Sequence, residues 1–259
     1  MIKVFELKNN LDQKTIESIL NEWSQDQNKI FHLKSSISKD QVRNFYENVG
    51  NNIGKLYHLA EDVNVGDRNN QRKNEIWMEV RYDSKIPDAY RHSSNPQPLH
   101  TDGSYVTNYP NSTLMCCVAN STVGGETIFL DADDLVKILE NKDNELLKFL
   151  STNEILHERS GDKTNRKIIE IKDNKYKVNF NYYCVSKKNP KSTLENVEKF
   201  FNYINTSKEV KDKIKAVKLN VGDAVFWKDS EVLHGRNGFV PTKESDRFIW
   251  KCAIGISER

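Results

Sequence analysis

Four side chains in this 259-residue sequence could together perform metal-centred redox chemistry: His100, Asp102, His234 and Arg247. In an extended segment, side chains two apart project the same way, so His100 and Asp102 share one space while Thr101 turns from it. A second imidazole from His234 would complete a two-His, one-carboxylate set on one face of an octahedral metal. That geometry leaves positions open and is diagnostic of non-haem Fe(II) oxygenases. The same donors also suit zinc or manganese. No fourth protein ligand stands out, which favours an open catalytic site over a closed structural one. Arg247 offers a planar fork able to hold a carboxylate two-pronged, as an oxo-acid cosubstrate requires.

The surroundings of these residues sharpen the reading. Pro98-Leu99-His100-Thr101-Asp102-Gly103-Ser104-Tyr105 places the pair just before a Gly/Ser turn, and Gly124-Gly125-Glu126-Thr127-Ile128-Phe129 follows. Asn220-Val221-Gly222-Asp223-Ala224-Val225-Phe226-Trp227 reads as a turn into a strand, and Glu231-Val232-Leu233-His234-Gly235-Arg236 comes shortly after. In this order the four segments resemble the TauD/TfdA-type family of Fe(II)- and 2-oxoglutarate-dependent dioxygenases, over roughly Glu79 to Ile256. The stretch around His234 is similar to the branch containing γ-butyrobetaine and trimethyllysine hydroxylases.

The resemblance implies Fe(II) held by His100, Asp102 and His234. It implies 2-oxoglutarate in two of the remaining positions and O2 in the third once substrate displaces water. Oxidative decarboxylation to succinate would then be coupled to hydrogen abstraction from an unactivated carbon. Arg247, thirteen residues after His234, matches the arginine that grips the far carboxylate of 2-oxoglutarate, and Thr127 matches a position whose hydroxyl assists. Related halogenating enzymes lack the carboxylate that Asp102 supplies, so halogenation is not expected. Taurine-oxidising relatives carry a basic residue at the position of Lys251, where it contacts the substrate anion.

Each residue also has a plainer reading. Arg247 could pair at the surface with Asp246 or Glu244, and Thr127 could simply be a strand former. Arg236 shares parity with His234 but could equally serve a structural ion pair. Residues 247, 249 and 251 share one face of a strand, so an inward Arg247 brings Lys251 inward too. A buried unpaired ammonium is costly, so Lys251 then needs an anion from the protein or the substrate. If the strand lies at an edge, Lys251 reaches solvent instead. Tyr105, Arg81, Asn179, Asn181 and Tyr183 are candidate contacts at the mouth. Tyr182 and Tyr183 could cage a quaternary ammonium or merely pack the sheet.

Composition bounds the partners. Charged residues make up 29% and hydrophobic residues 37% of the chain, with a mean hydropathy of −0.73. The 39 basic and 37 acidic residues nearly cancel, and no basic block stands out, which argues against nucleic acid. There is no apolar run of membrane-spanning length and no signal-peptide pattern at the start. Cys116, Cys117, Cys184 and Cys252 lack the spacing of a zinc site or disulfide scaffold and read as buried thiols. A cytoplasmic protein acting on a small molecule is expected; the sequence leaves its oligomeric state open.

The elements that must position these residues are mainly strands with flanking helices. A helix carries Ile16, Ile19, Leu20 and Trp23 on one face. Ser38 with Gln41 predicts a capping box for a second helix with Val42, Phe45 and Val49 on its apolar face, ended by Gly50. A strand is expected at Glu75–Tyr82, and a strand buried on both faces at Leu114–Ala119. Helical spacing returns from Asp131 to Leu150, and strands follow at Arg166–Ile171 and Lys175–Phe180. Ser192 with Glu195 predicts another capping box, for a helix lined by Leu194, Val197, Phe201 and Ile204. Strands close the chain at Ala216–Leu219, Ala224–Trp227 and Phe248–Ile256. This pattern suits one α+β domain over 1–259 with a distorted double-stranded β-helix, or jelly-roll, core. Residues 1–75 form a mixed helical portion packed on it, and the polar stretch Asp62–Asn74 is a candidate lid loop.

These observations point to an Fe(II)/2-oxoglutarate-dependent oxygenase acting on a small polar, amino-acid-like or anionic molecule. Hydroxylation is the default, with desaturation or cyclisation sharing its first step. A non-catalytic jelly-roll binding protein, or a metal-dependent hydrolase or isomerase on the same barrel, would use the same residues differently.

Overall fold

The computed structural model describes residues 2–8, 11–57, 75–172 and 175–257. The N-terminal elements are β1 (Ile2–Leu7), α1 (Gln13–Trp23), β2 (Ile30–Ser35), α2 (Val42–Ile53) and β3 (Lys55–Tyr57). Next come β4 (Met78–Arg81), β5 (Gln97–His100), β6 (Ser112–Ala119), β7 (Thr127–Asp131), α3 (Ala132–Lys142) and α4 (Asn144–Thr152). Then follow β8 (Ile155–Arg159), β9 (Asp162–Arg166), β10 (Ile169–Lys172) and β11 (Lys175–Val178). The last are α5 (Lys191–Thr206), α6 (Lys208–Lys211), β12 (Lys215–Val217), β13 (Ala224–Lys228), β14 (Val232–Arg236) and β15 (Phe248–Gly255).

Two sheets carry the core. The larger runs β1-β2-β13-β6-β15-β3 with β4 also on β15, and the smaller runs β12-β7-β14-β5. Alternation along the strands fixes which side chains lie between them. Met115 and Cys117 of β6, Val225 and Trp227 of β13 and Ile249 of β15 meet Phe129 of β7 and Val232 of β14. Phe129 and Trp227, both fully buried, touch edge-on at 5.3 Å; burying each contributes about 1.5–3 kcal/mol. The opposite faces are covered as well. Leu114, Cys116, Phe226 and Ile254 pack on α1 and α2, while Leu130 and Leu233 pack on α3 to α5. The double burial of β6 is what its continuous apolar run predicts. The sheets form an open, distorted jelly roll rather than a closed barrel.

Several expectations need correction. The N-terminal portion does not merely pack on the sheets: β1 and β2 pair in parallel, and β2 extends the large sheet through β13. Ser38 bonds the Gln41 side chain, α2 starts after Gln41 without a side-chain cap, and the helix runs through Gly50 to Ile53. Pro190, not Ser192, precedes α5, so no capping box forms there. The helical stretch after Asp131 is two helices, broken at Asp143, whose carboxylate accepts from the Leu146 N–H and caps α4. Beyond β11, Tyr182–Cys184 forms a 3₁₀ turn. Asp62–Asn74 lies outside the described residues. Among the described residues, no helix is long and apolar enough to cross a membrane.

Candidate active site

His100 is the last residue of β5 and Asp102 sits in the turn just beyond it. Between them Thr101 turns away, its N–H and hydroxyl engaged with the Phe180 backbone. Gly103 follows at φ +60°, and a Cβ there would collide with the Tyr109 ring; glycine lets the chain turn where a side chain could not. His234 lies at the middle of β14, directly opposite His100 in the ladder. One donor atom from each of His100, Asp102 and His234 lies within 4.8 Å of the others. His100 Nε2 is 3.9 Å from Asp102 Oδ1, and His234 Nε2 is 3.8 Å from Asp102 Oδ2.

The surroundings set the state of these donors. His100 Nδ1–H donates to the Pro98 carbonyl at 2.8 Å, leaving Nε2 for a metal. Burial pushes both imidazoles below their ordinary pKa, His234 furthest, and keeps them in the neutral form that binds metal. Burial alone would raise Asp102, but the Lys251 ammonium outweighs it and holds the carboxyl well below its usual range. Lys251 Nζ is 2.5 Å from Asp102 Oδ2, and Thr113 Oγ1 donates to the same oxygen at 3.1 Å.

Asp229 and Thr113 escaped the sequence reading. Asp229 Oδ2 accepts from the Asp102 N–H at 3.0 Å, while its Oδ1 accepts from Trp227 Nε1 at 2.9 Å. That Oδ1 also lies 3.6 Å from His234 Nδ1, beyond hydrogen-bond reach, so Asp229 holds Asp102 through its backbone and only neighbours His234. Burial, and then the charge of Asp102, push the Asp229 carboxyl well above its ordinary range. Strand parity with Met115 and Cys117 could have flagged Thr113 as inward; nothing local marks Asp229.

A cavity of about 790 Å³ opens over the cluster. Arg247, Thr127, Lys251 and Arg236 line it, as does Tyr183 at the mouth, where its hydroxyl meets that of Tyr90 at 2.7 Å. Arg247 is buried, donates through Nε to the Gly125 carbonyl at 3.3 Å, and is pushed down to about 10 by burial. It pairs with neither Asp246 nor Glu244: Asp246 bonds Thr242, and Glu244 accepts from the Ser84 N–H. Among the described residues, the buried Thr127 hydroxyl has no hydrogen-bond partner. Arg236 makes no ion pair among the described residues; it donates to the carbonyls of Tyr90, Ser93 and Asn95. Three expected mouth residues lie off the cavity lining. Arg81 binds Glu79 and Ser245, Asn179 donates to the Ser104 carbonyl, and Tyr105 is buried elsewhere.

The sequence model of the taurine catabolism dioxygenase TauD, TfdA family matches residues 4–253. The chain belongs to that family. Solved structures share its fold. An asparagine oxygenase in complex with Fe(II), 3-hydroxyasparagine and succinate superposes with a TM-score of 0.70 at 9% identity, over 94% of this chain and 79% of that one. The non-haem iron oxygenase OrfP with Fe and α-ketoglutaric acid gives 0.67 at 12%, over 95% and 80%. PvcB of Pseudomonas aeruginosa gives 0.61 at 15%, over 97% and 86%. No curated protein sequence matches the chain.

This TauD/TfdA-family protein is therefore a 2-oxoglutarate-dependent oxygenase, with Fe(II) as metal and 2-oxoglutarate and O2 as cosubstrates. The binding-protein and hydrolase readings are not favoured. Its residues fit such a centre: three neutral or anionic donors converge, and an orphaned hydroxyl and a buried guanidinium line the same cavity.

Proposed function

We propose that this oxygenase hydroxylates an unactivated carbon of a small polar, amino-acid-like or anionic metabolite. In this reading His100, Asp102 and His234 hold Fe(II), and Arg247 with Thr127 holds the far carboxylate of 2-oxoglutarate. The bound metal and cosubstrate supply an oxidant strong enough to break a C–H bond. The chain's own residues orient and enclose. Arg247 presents its fork from a buried position where a carboxylate contact is strengthened by low dielectric. Thr127 offers a hydroxyl that otherwise remains unsatisfied.

The observation that carries the reading is the donor cluster at the floor of a cavity that also holds Arg247 and Thr127. A volume of about 790 Å³ falls in the usual range for small-molecule sites. Its lining mixes Met78, Val80 and Pro87 with Asp88, Arg91 and Arg159, which suits a polar substrate with an apolar segment. Two fold neighbours have been solved with 3-hydroxyasparagine and (3S)-hydroxy-L-Arg, which supports an amino-acid-like substrate.

Anaerobic addition of Fe(II) and 2-oxoglutarate should produce the visible charge-transfer band of their chelate, absent in His100→Ala. A panel of amino acids should then yield succinate with one product 16 mass units heavier than its parent. Survival of the band in His100→Ala would overturn the metal assignment. Coupled turnover giving only a product two mass units lighter would overturn hydroxylation.

A further inference from the structure

One oxygen of Asp102 is already occupied. Oδ2 receives the Lys251 ammonium at 2.5 Å and the Thr113 hydroxyl at 3.1 Å, whereas Oδ1 has neither donor. Lys251 and Thr113 come from neighbouring strands of the large sheet, where β15 and β6 pair, while Asp102 enters from the small sheet's β5. Both donors are placed by the same alternation that buries Met115 and Ile249 between the sheets. Lys251 lines the cavity, yet its charge is met by the protein, so the anion demanded by its inward position is Asp102 itself.

We propose that Lys251 and Thr113 are positioning residues that reserve Oδ2 of Asp102 and so make this carboxylate a one-oxygen metal ligand. The inference rests on the Fe(II)/2-oxoglutarate reading above. A carboxylate binding through both oxygens takes two of six positions; with two imidazoles it leaves only two. An oxo acid bound through two atoms then fills the site and leaves no place for gas. Holding Oδ2 with a cation and a hydroxyl keeps the third place open. It also places a positive charge beside the metal, so Lys251 trades some metal affinity for an open coordination sphere.

The probe is Co(II), titrated anaerobically into the purified full-length protein and followed by its visible bands, then by 2-oxoglutarate titration. Lys251→Met should bind Co(II) at least as tightly as the parent, show altered bands before any oxo acid is added, and bind 2-oxoglutarate about tenfold more weakly. Thr113→Val should move the bands the same way by less. Lys251→Gln, which keeps an N–H donor, should recover most of the parental oxo-acid affinity. Unchanged Co(II) bands in both Lys251→Met and Thr113→Val would overturn the proposal, whether or not 2-oxoglutarate binding weakens, because Lys251 would then touch ligand rather than position Asp102. A parallel fall in Co(II) and 2-oxoglutarate affinity would also overturn it, as the mark of a merely structural role. Failure of the parent protein itself to bind Co(II) would instead remove the metal reading on which the proposal stands.

Discussion

His100 and His234 are direct cross-strand partners on β5 and β14, with ring centroids 4.2 Å apart. Antiparallel pairing thus converts a long separation in sequence into a single contact, and a one-residue slip would turn one imidazole to the opposite face. The ladder shifts register between His234 and Arg236, a bulge of the kind that re-aims side chains beside active sites. Gly235 sits at the shift, and a Cβ there would lie 2.6 Å from the Gln97 carbonyl oxygen. Gly235→Ala should therefore force β14 from β5. The expected result is a loss of about 1–3 kcal/mol in denaturant unfolding, with weaker Co(II) binding. A variant as stable as the parent with parental metal affinity would show that the close approach is not needed.

Arg247 contributes a second, separable effect. Its Nε is committed to the Gly125 carbonyl, which holds the side chain in the cavity wall. Arg247→Gln should raise the KM for 2-oxoglutarate about 10- to 100-fold, the loss of a charge-assisted pair worth about 1.5–3 kcal/mol. Metal affinity should stay within about twofold. Equal losses of metal and oxo-acid binding in calorimetric titrations would assign Arg247 to the fold instead.

Arg236 predicts a different signature. Its guanidinium is buried and spends its donors on three carbonyls of the segment between Tyr90 and Asn95, which borders the cavity. Burial pushes its pKa down to about 9, so it remains charged at neutral pH. Arg236→Met leaves those carbonyls unpaired and should cost about 2–4 kcal/mol in urea unfolding. Faster proteolysis within residues 86–96 should accompany that loss. Arg236→Lys should recover little, because a single ammonium cannot reproduce a planar fork. Full recovery by lysine would show that charge, not geometry, holds this segment.

The parts of this site legible in the sequence are those fixed by local spacing. His100 and Asp102 are two residues apart, and the alternation of β6 and β13 follows directly from their apolar runs. Parity turns Lys251 inward only if Arg247 points inward, and the need for an anion then follows from the cost of burying its charge. Which anion answers it depends on how the two sheets face each other, which brings the turn after β5 against β15 and is not written in the local spacing. Asp229 was illegible for the same reason: its role arises only when β13 and β5 come together. The two expected capping boxes failed because Ser38 and Ser192 have the right spacing but the chain enters each helix elsewhere, after Gln41 and Pro190. Strand proximity makes Arg81 and Asn179 no more than candidates for the mouth, and each has a nearer partner in the fold.

His157 on β8 gives the pH dependence. The side chain is fully buried, its Nδ1–H donates to the Ile155 carbonyl at 3.1 Å, and Nε2 has no partner among the described residues. Burial pushes its pKa from 6.5 down to about 4. The folded protein therefore holds a neutral imidazole where the unfolded chain takes up a proton, so stability is present above about pH 6.5 and drains away as pH falls toward about 4. Linkage puts the loss between pH 7 and pH 5 at about 2 kcal/mol for this one group. Many carboxylates also titrate in that direction, so the informative quantity is a difference. His157→Asn keeps an N–H donor for the Ile155 carbonyl but cannot be protonated. Urea unfolding at both pH values should show the parent losing about 2 kcal/mol more than the variant, and equal losses would mean that His157 gains access to water or a partner before the fold yields.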